Sequence, residues 1–374
     1  MKNIICVALL LLLRVTASAQ HTYPISGNIK NEKGEPLQAV TVFIDGSEKY
    51  TVTDDKGNFF FTSIEPGNYN IAASIVGYNA EQKSLMVSDG PQRVDFVMKE
   101  KLTVLKEVVI DATKKGKLSN KIEDRQRKTL MTIFISKFLG ITNNAQSCKI
   151  VNPDIIEFTL NKNVLTATTP DFLIIENPKL GYRIKYRLKL FRYDIATRVT
   201  GYGGECIFEQ LQGSKREKQK WDENRKKAYY GSLMHYLRSL YAGNSDKQGF
   251  KTYEVTYNDS LKKLIVNDST TDMRHHVTRI DSNFVRVSFK QLKIVYTPFK
   301  PSVTSYTIIT NDDGASASST ERFSMTGTST VQMFVDHTLV DAHGNYSDYR
   351  SFYCADYWSW LQVGDKLPFT YEPK

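Results

Sequence analysis

The chain has 374 residues, 41% hydrophobic, 24% charged and 11% aromatic, with 50 Lys plus Arg against 40 Asp plus Glu. This composition excludes a disordered or fibrous chain, and the length suffices for two or three hydrophobic cores rather than one compact domain.

The first 19 residues read as a secretory signal peptide: a basic start at Lys2, an apolar run over 4–13, and Ala17-Ser18-Ala19 as a small-x-small cleavage site. About ten apolar residues cannot cross a ~30 Å hydrocarbon core, and Arg14 interrupts the run. Cys6 lies at the head of the run instead of at the cleavage point, which argues against a lipid anchor. The expected mature chain has no transmembrane segment and is exported across the inner membrane to the periplasm or an outer-membrane-associated site. It keeps Cys148, Cys206 and Cys354, which leave open one disulfide with a spare thiol or three free thiols.

Charge divides the rest into three. Residues 20–113 hold 9 basic and 13 acidic side chains, 114–250 hold 26 and 13, and 251–374 hold 13 and 14. The middle third thus carries the positive excess, and an acidic partner or surface is one reading of it.

Residues 23–99 read as seven short strands, at 23–29, 39–44, 49–53, 58–62, 69–75, 83–87 and 93–98. Between them lie Lys33-Gly34, Asp45-Gly46, Asp54-Asp55-Lys56-Gly57, Pro66-Gly67 and Asp89-Gly90, residues that supply turn geometry. Val40, Val42 and Ile44 share one face, so a small antiparallel sandwich is expected.

The run Ile25-Ser26-Gly27, Gly34-Glu35-Pro36-Leu37, Thr53-Asp54-Asp55-Lys56-Gly57-Asn58-Phe59, Pro66-Gly67-Asn68-Tyr69 and Gly77-Tyr78 resembles the carboxypeptidase regulatory-like domain, a transthyretin-like sandwich of Bacteroidetes cell-envelope proteins. The resemblance implies a module that accompanies enzymes and TonB-dependent receptors without being catalytic. Residues 104–110 resemble the linker that precedes receptor plugs, and such a segment could pair with a sheet edge. The ~260 residues that follow are too few for a receptor barrel of up to ~22 strands with its plug.

The chemistry of a carboxypeptidase is missing. No H-E-x-x-H occurs, no His is followed at the third position by Glu, and His275-His276 stands without convergent carboxylates or cysteines. There is no C-x-x-C, no G-x-S-x-G and no phosphate-binding glycine loop, so neither a metal nor a cofactor is expected. Tyr202-Gly203-Gly204-Glu205 reads as a hairpin bend.

Beyond the sandwich, residues 113–128 read as a basic linker leading into a helix over 130–139 that stops at Gly140. In 181–193, Tyr182, Ile184, Tyr186, Leu188 and Leu190 fall on one strand face, and Arg183, Lys185, Arg187 and Lys189 on the other. Four cations on one face need solvent, carboxylates or a polyanion to offset their repulsion. The readings are an exposed, aggregation-resistant edge or a surface for acidic glycan or an acidic envelope protein.

A second helix is expected over 215–241. At ~100° per residue, Trp221, Arg225, Ala228, Ser232, His235 and Ser239 form one stripe, either packed against a sheet or lining a binding groove. A Ser232–His235 nucleophile pair would lack both a carboxylate and an oxyanion site. The spacing Trp221-x-x-x-Arg225-x-x-Ala228-Tyr229, with Asn177-x-x-Leu180-Gly181-Tyr182 upstream and Tyr357-Trp358-Ser359-Trp360 and Leu367-Pro368 downstream, resembles Bacteroidetes envelope proteins in which a second region follows this sandwich. That resemblance implies no activity.

The last third alternates like antiparallel strands, with 311–319 as a flexible turn and Tyr357, Trp358 and Trp360 packing near the C-terminus or exposed for stacking on sugar rings. Asp259-Ser260-Leu261 and Asp268-Ser269-Thr270 resemble an O-glycosylation sequon of that phylum. Nucleic acid is disfavoured as a partner, because the basic strand has no stacking motif.

The expected organisation is a signal peptide (1–19), a seven-stranded transthyretin-like sandwich (20–112), a basic linker (113–128) and an α+β domain (129–374) with a large antiparallel sheet and two or three helices. The expected function is non-catalytic binding or scaffolding in the cell envelope, through sheet-edge pairing or the cationic strand. The candidate binding residues are Arg183, Lys185, Arg187, Lys189, Trp221, Arg225 and His235. The alternative is a hydrolase of an envelope polymer or glycan, for which His235, Arg225 and a carboxylate would have to converge in a pocket.

Overall fold

The structure, a computed structural model, describes residues 21–101, 117–300, 302–312, 315–347 and 349–374. The expected signal peptide, the segment 104–110 and the part of the basic linker before Lys117 lie outside the described residues.

The N-terminal strands form a sandwich of two four-stranded sheets. One holds Asn58–Ile64, Tyr23–Asn31, Gln92–Arg93 and Phe96–Met98, and the other Tyr50–Val52, Thr41–Ile44, Gly67–Ser74 and Glu81–Val87. The last expected strand is split in two, and both pieces run parallel to the first strand, the only departures from antiparallel pairing within the sandwich. Ile25, Ile29, Val40, Val42, Ile44, Ile71 and Phe96 fill the space between the sheets. Phe43 and Ala72 are buried on the outer face, against Ile207 of the next region.

The basic segment from Lys117 onward is helical. Helix α1 covers Lys117–Phe138 and takes in the expected linker from Lys117 onward. Its sequence has no Gly or Pro and is rich in Lys and Arg, both good helix formers. Phe134 and Phe138 stack at 4.8 Å and lie edge-on to Phe191 and Tyr186 of the sheet beneath.

That sheet has six strands around the long Tyr182–Asp194, which pairs antiparallel with Val164–Thr168, Leu173–Asn177 and Thr200–Gln210. Tyr202-Gly203-Gly204-Glu205 is therefore not a hairpin bend. It lies inside Thr200–Gln210, opposite a bulge where the register shifts between Leu188 and Leu190. The bulge inserts Lys189 as an extra residue and reverses the alternation beyond it. Leu190, expected on the apolar face, is consequently 48% exposed, and Phe191 is buried in its place.

The expected helix 215–241 is two helices, α2 (Lys215–Tyr229) and α3 (Leu233–Tyr241). Gly231 adopts φ +81° between them, and the Ser232 side chain accepts the His235 backbone N–H as the N-cap of α3. A continuous stripe from Trp221 to Ser239 does not exist.

The last third contains a five-stranded antiparallel sheet (Lys263–Val266, Phe250–Asn258, Gln291–Tyr296, Thr328–Met333, Phe352–Asp356) and a three-stranded one (Val277–Arg279, Phe284–Val287, Thr338–Asp341). Tyr236, Leu237 and Leu240 of α3 pack into the same core as Val285, Leu292, Val331 and Trp358. The Ala-Ser run expected as a flexible turn extends a hairpin, Ser302–Asp312 with Ala315–Met325, while Asp313 and Gly314 lie outside the described residues.

The C-terminal tail threads between the cores. Val363 and Leu367 enter the middle core and Phe369 enters the sandwich, 5.5 Å from Tyr69. Arg238 of α3 donates to the carbonyls of His343, Tyr371 and Phe369, which fixes the tail's course. No described helix is long and apolar enough to cross a membrane.

Candidate functional site

Every cation of the expected ladder meets a carboxylate of the same chain. Arg183 pairs with Glu176 at 2.6 Å and Lys185 with Glu209 at 2.5 Å, while Arg187 and Lys189 both reach Glu205. Glu176 and Glu205 sit directly across from Arg183 and Arg187, whereas Lys185 reaches diagonally to Glu209, which lies opposite Arg183. Lys189 also donates to Gln82 of the sandwich at 3.0 Å. The ladder is thus charge-compensated internally, and the expectation of a free cationic surface is corrected. Of the three ways to offset the repulsion, the fold uses carboxylates on the adjacent strands.

Trp221 and Arg225 serve the packing of α2. Trp221 Nε1 donates to Pro178 O at 2.9 Å, and Arg225 Nε donates to Leu180 O at 2.7 Å. The Arg225 guanidinium lies 3.9 Å from the centre of the Tyr182 ring, and Asn177 Nδ2 donates to Gly364 O. The Asn-x-x-Leu-Gly-Tyr and Trp-x-x-x-Arg patterns are therefore two halves of one helix-to-loop clamp. Trp221 and Arg225 also border a cavity of about 350 Å³ with Tyr371 and Glu372.

His235 is buried, its Nδ1 accepting from Gly231 N at 3.1 Å and its Nε2 lying 3.2 Å from Gln248 Oε1. Burial lowers its pKa, with the Gln248 hydrogen bond opposing, so the ring stays neutral near pH 7. Its ring does not engage the Ser232 hydroxyl, which accepts only the backbone N–H of His235. The residues that the hydrolase reading required are therefore spent on structure. Trp358 is likewise buried, donating to Gly231 O at 2.7 Å, and Tyr357 is buried beside it, so these two offer no sugar-stacking platform.

The structure assembles another site where the three cores meet. The Asp45-Gly46-Ser47 turn lies along the strand Thr200–Gln210: Gly46 N donates to Cys206 O at 2.8 Å, Phe208 N to Ser47 O at 2.9 Å, and Cys206 N to Asp45 Oδ1 at 2.8 Å. Nearby, Asp341 accepts from Asn68 N, joining the sandwich to the C-terminal sheets. Between these junctions lies a cavity of about 380 Å³, within the range of small-molecule sites. Its walls include Asp45, Asn70, Ser232, Trp358 and Lys366.

Lys366 lines the cavity but is an exposed side chain, open to solvent at its mouth. Its Nζ lies 5.9 Å and 5.8 Å from the ring centres of Tyr186 and Tyr202. Its pKa is held above the ordinary lysine value, and of the groups around it Asp45 is the one that is anionic at neutral pH. Burial pushes Asp45 up to about 6, against the Cys206 amide and the Lys366 charge. Asp365 is likewise raised to about 6 by burial, while Thr142 and Asn144 donate to its two oxygens.

Sequence reasoning missed these residues. Asp45-Gly46 reads as an ordinary turn, and Asp365-Lys366 drew no reading at all. The available signal was an ionisable pair beside apolar residues in a tail that must pack. Among the described residues, no three His, Cys, Asp or Glu side chains gather as a metal site, and all three cysteines are free.

No curated protein matches the chain. Among solved structures, a chain of a type II cohesin–X-dockerin complex from Acetivibrio cellulolyticus is 20% identical over 21% of this chain and 58% of its own, with a TM-score of 0.19. A putative carbohydrate binding protein from Bacteroides uniformis is 13% identical over 44% of this chain and 57% of its own, at 0.18. A putative membrane-associated protein of unknown function from Bacteroides fragilis is 8% identical over 83% and 97%, also at 0.18. The chain spans only 58–61% of the length of the first solved structures it matches. At such scores no property of these proteins transfers to it. Residues 25–110 match the CarboxypepD_reg-like domain family, and the N-terminal sandwich is a domain of that family.

Proposed function

We propose that the chain is a secreted, non-catalytic protein of the cell envelope that binds a small ligand, or the end of a larger one, in the cavity between its three cores. The observation that carries this reading is the cavity itself: about 380 Å³, walled by the sandwich, the middle sheet, α3, the C-terminal sheets and the tail. A site built from every region gives the multi-core architecture a purpose, and cavities between domains are common binding sites. Export to the envelope rests on the N-terminal sequence and on the setting implied by the sandwich's family. Sheet-edge pairing, the other expected mode, is already used within the chain, since the 45–47 turn covers part of the Thr200–Gln210 edge.

The test is native mass spectrometry of the chain recovered from its own envelope fraction, comparing wild type with Leu233→Trp. Leu233 lines the cavity and is only partly buried, so the larger ring fills space at an overpacking cost of about 1–3 kcal/mol. A bound mass present in wild type and absent from the folded variant supports the reading. Equal adducts on both proteins, or none on either, overturn it.

A further inference from the structure

We propose that a second cavity, between the middle sheet and the five-stranded C-terminal sheet, binds an extended peptide with an acidic side chain, which adds as a strand to the open edge at 200–204. This goes beyond the central-cavity reading, although the two cavities share Cys354, Trp358 and Leu361 as a common wall.

Thr200–Gln210 pairs with Tyr182–Asp194 along one side, and its other side is an edge. Asp194 N donates to Val199 O at 3.0 Å, so 199 and 201 turn their N–H and C=O toward that partner, and Thr200 and Tyr202 turn theirs away. Cys206 and Phe208 share this outward parity, and they are the two residues whose backbone the 45–47 turn engages. The turn reaches no farther. Among the described residues the outward groups of Thr200 and Tyr202 have no hydrogen-bond partner.

The opposite wall is a second edge. Phe352–Asp356 ends its sheet, paired on one side with Thr328–Met333. Phe334 N donates to Ser351 O, so the same alternation turns the N–H and C=O of Phe352 and Cys354 away from that partner, and these too are unpaired among the described residues. Thr200, Tyr202, Phe352 and Cys354 all line one cavity of about 450 Å³. Water can solvate such groups one at a time, but an extended chain meets a whole row of them with its own alternating N–H and C=O. Gly201 and Gly203 leave the approach clear. Among the described residues nothing beyond their chain neighbours lies within 4 Å of where a Cβ would stand, so another backbone can come close.

The walls supply the preference for an acid. Half-buried Lys137 and exposed Arg198 line the cavity, and among the described residues no Asp or Glu does. Tyr202, Trp358 and Trp360 add aromatic surface. A positive wall without carboxylates favours an acidic peptide over a neutral or basic one.

The experiment screens the chain lacking residues 1–19 against a library of acetylated pentapeptide amides varied at every position, and follows the tightest binders by fluorescence anisotropy. Thr200→Pro removes one outward N–H at the first residue of a strand and no ladder bond. Arg198→Asn removes a charge with a residue that accepts the φ of +59° found there. Leu233→Trp fills the central cavity alone. Circular dichroism checks that each variant folds.

The leading peptides should contain Asp or Glu and bind wild type about tenfold or more tightly than their Asn or Gln counterparts, the scale of one charged hydrogen bond. N-methylation of one alternating set of peptide amides should cost about tenfold or more, and of the other set little. Thr200→Pro should lose binding, Arg198→Asn should narrow the acid preference, and Leu233→Trp should bind like wild type. If Thr200→Pro does not fold, the methylation series on wild type decides. A library without binders, binders without an acid preference, equal losses from either methylation set, or unchanged binding by folded Thr200→Pro overturns the proposal. Binding lost in Leu233→Trp alone would assign the peptide to the central cavity and overturn it too. A wild type that sediments as a dimer while Thr200→Pro is a monomer would make a second copy of the chain the occupant instead.

Discussion

Arg187 and Glu205 face each other across paired strands, and one carboxylate oxygen of Glu205 accepts from both Nε, at 3.1 Å, and Nη2, at 2.9 Å, of the guanidinium. Lys189 takes the other oxygen, and the Glu205 side chain is only 1% exposed. Glu205→Gln should therefore destabilise the fold by about 3 kcal/mol, because it leaves the largely buried Arg187 guanidinium without its anion. Glu176→Gln, which breaks the half-exposed pair with Arg183, should cost under about 1 kcal/mol. Urea unfolding of the two variants checks the contrast, and equal losses would mean that Glu205 is not the anchor of the ladder.

The ladder also shows how far the sequence could be read. Alternation placed the four cations on one face correctly, because a strand's period of two depends only on local geometry. Their partners depend on register. Glu205 and Glu209 sit at alternate positions like the cations they face, a pattern visible once Tyr182–Asp194 and Thr200–Gln210 are known to pair, but Gly203-Gly204 suggested a turn where the structure has a bulge. Turn glycines and spaced apolar residues made the sandwich legible in the same local way. The cavity was not, since Asp45 and Lys366 are 321 positions apart and are brought together by a tail whose path is set by Arg238 and by packing among three cores.

Gly181 is the point where the α2 clamp tolerates no side chain. It adopts φ +68°, and a Cβ there would fall 2.1 Å from Trp221 Cδ2. Gly181→Ala should cost at least about 2 kcal/mol from left-handed strain and overpacking together. In a Trp221→Ala background the same change should cost only the backbone part, about 1–2 kcal/mol. A double-mutant cycle by chemical denaturation measures the difference, and full additivity would show that the two residues do not press on each other.

Three free thiols are a further checkable consequence. Burial pushes Cys148, Cys206 and Cys354 each up to about 12, so little thiolate exists at neutral pH. In the chain lacking residues 1–19, a maleimide should label slowly while the protein is folded and label all three positions once it is unfolded. Peptide mapping that finds a disulfide between any two of them would contradict the structure.

Asp365 gives the fold a pH dependence of definite sign. Its carboxyl is raised from 3.8 to about 6, chiefly by burial, although Thr142 and Asn144 donate to it. Between about pH 4 and 6 the folded state therefore holds a proton that the unfolded state has released. Its contribution to stability is greatest below the lower value and is lost as pH rises through the upper one. A shift of this size corresponds to about 3 kcal/mol at full effect. Asp45, raised to about 6 by the same cause, acts in the same direction. Exposed Asp272, lowered to about 2 by Arg274, acts in the opposite one, so the whole-protein profile mixes signs. The difference between wild type and Asp365→Asn isolates the buried group. Measured by thermal unfolding across this range, wild type should lose stability relative to the variant as pH rises from 4 to 6, with the gap constant on either side. A gap that widens in favour of wild type with rising pH would show that the three-core junction stabilises the carboxylate, and that Asp365 is ionised in the folded protein throughout.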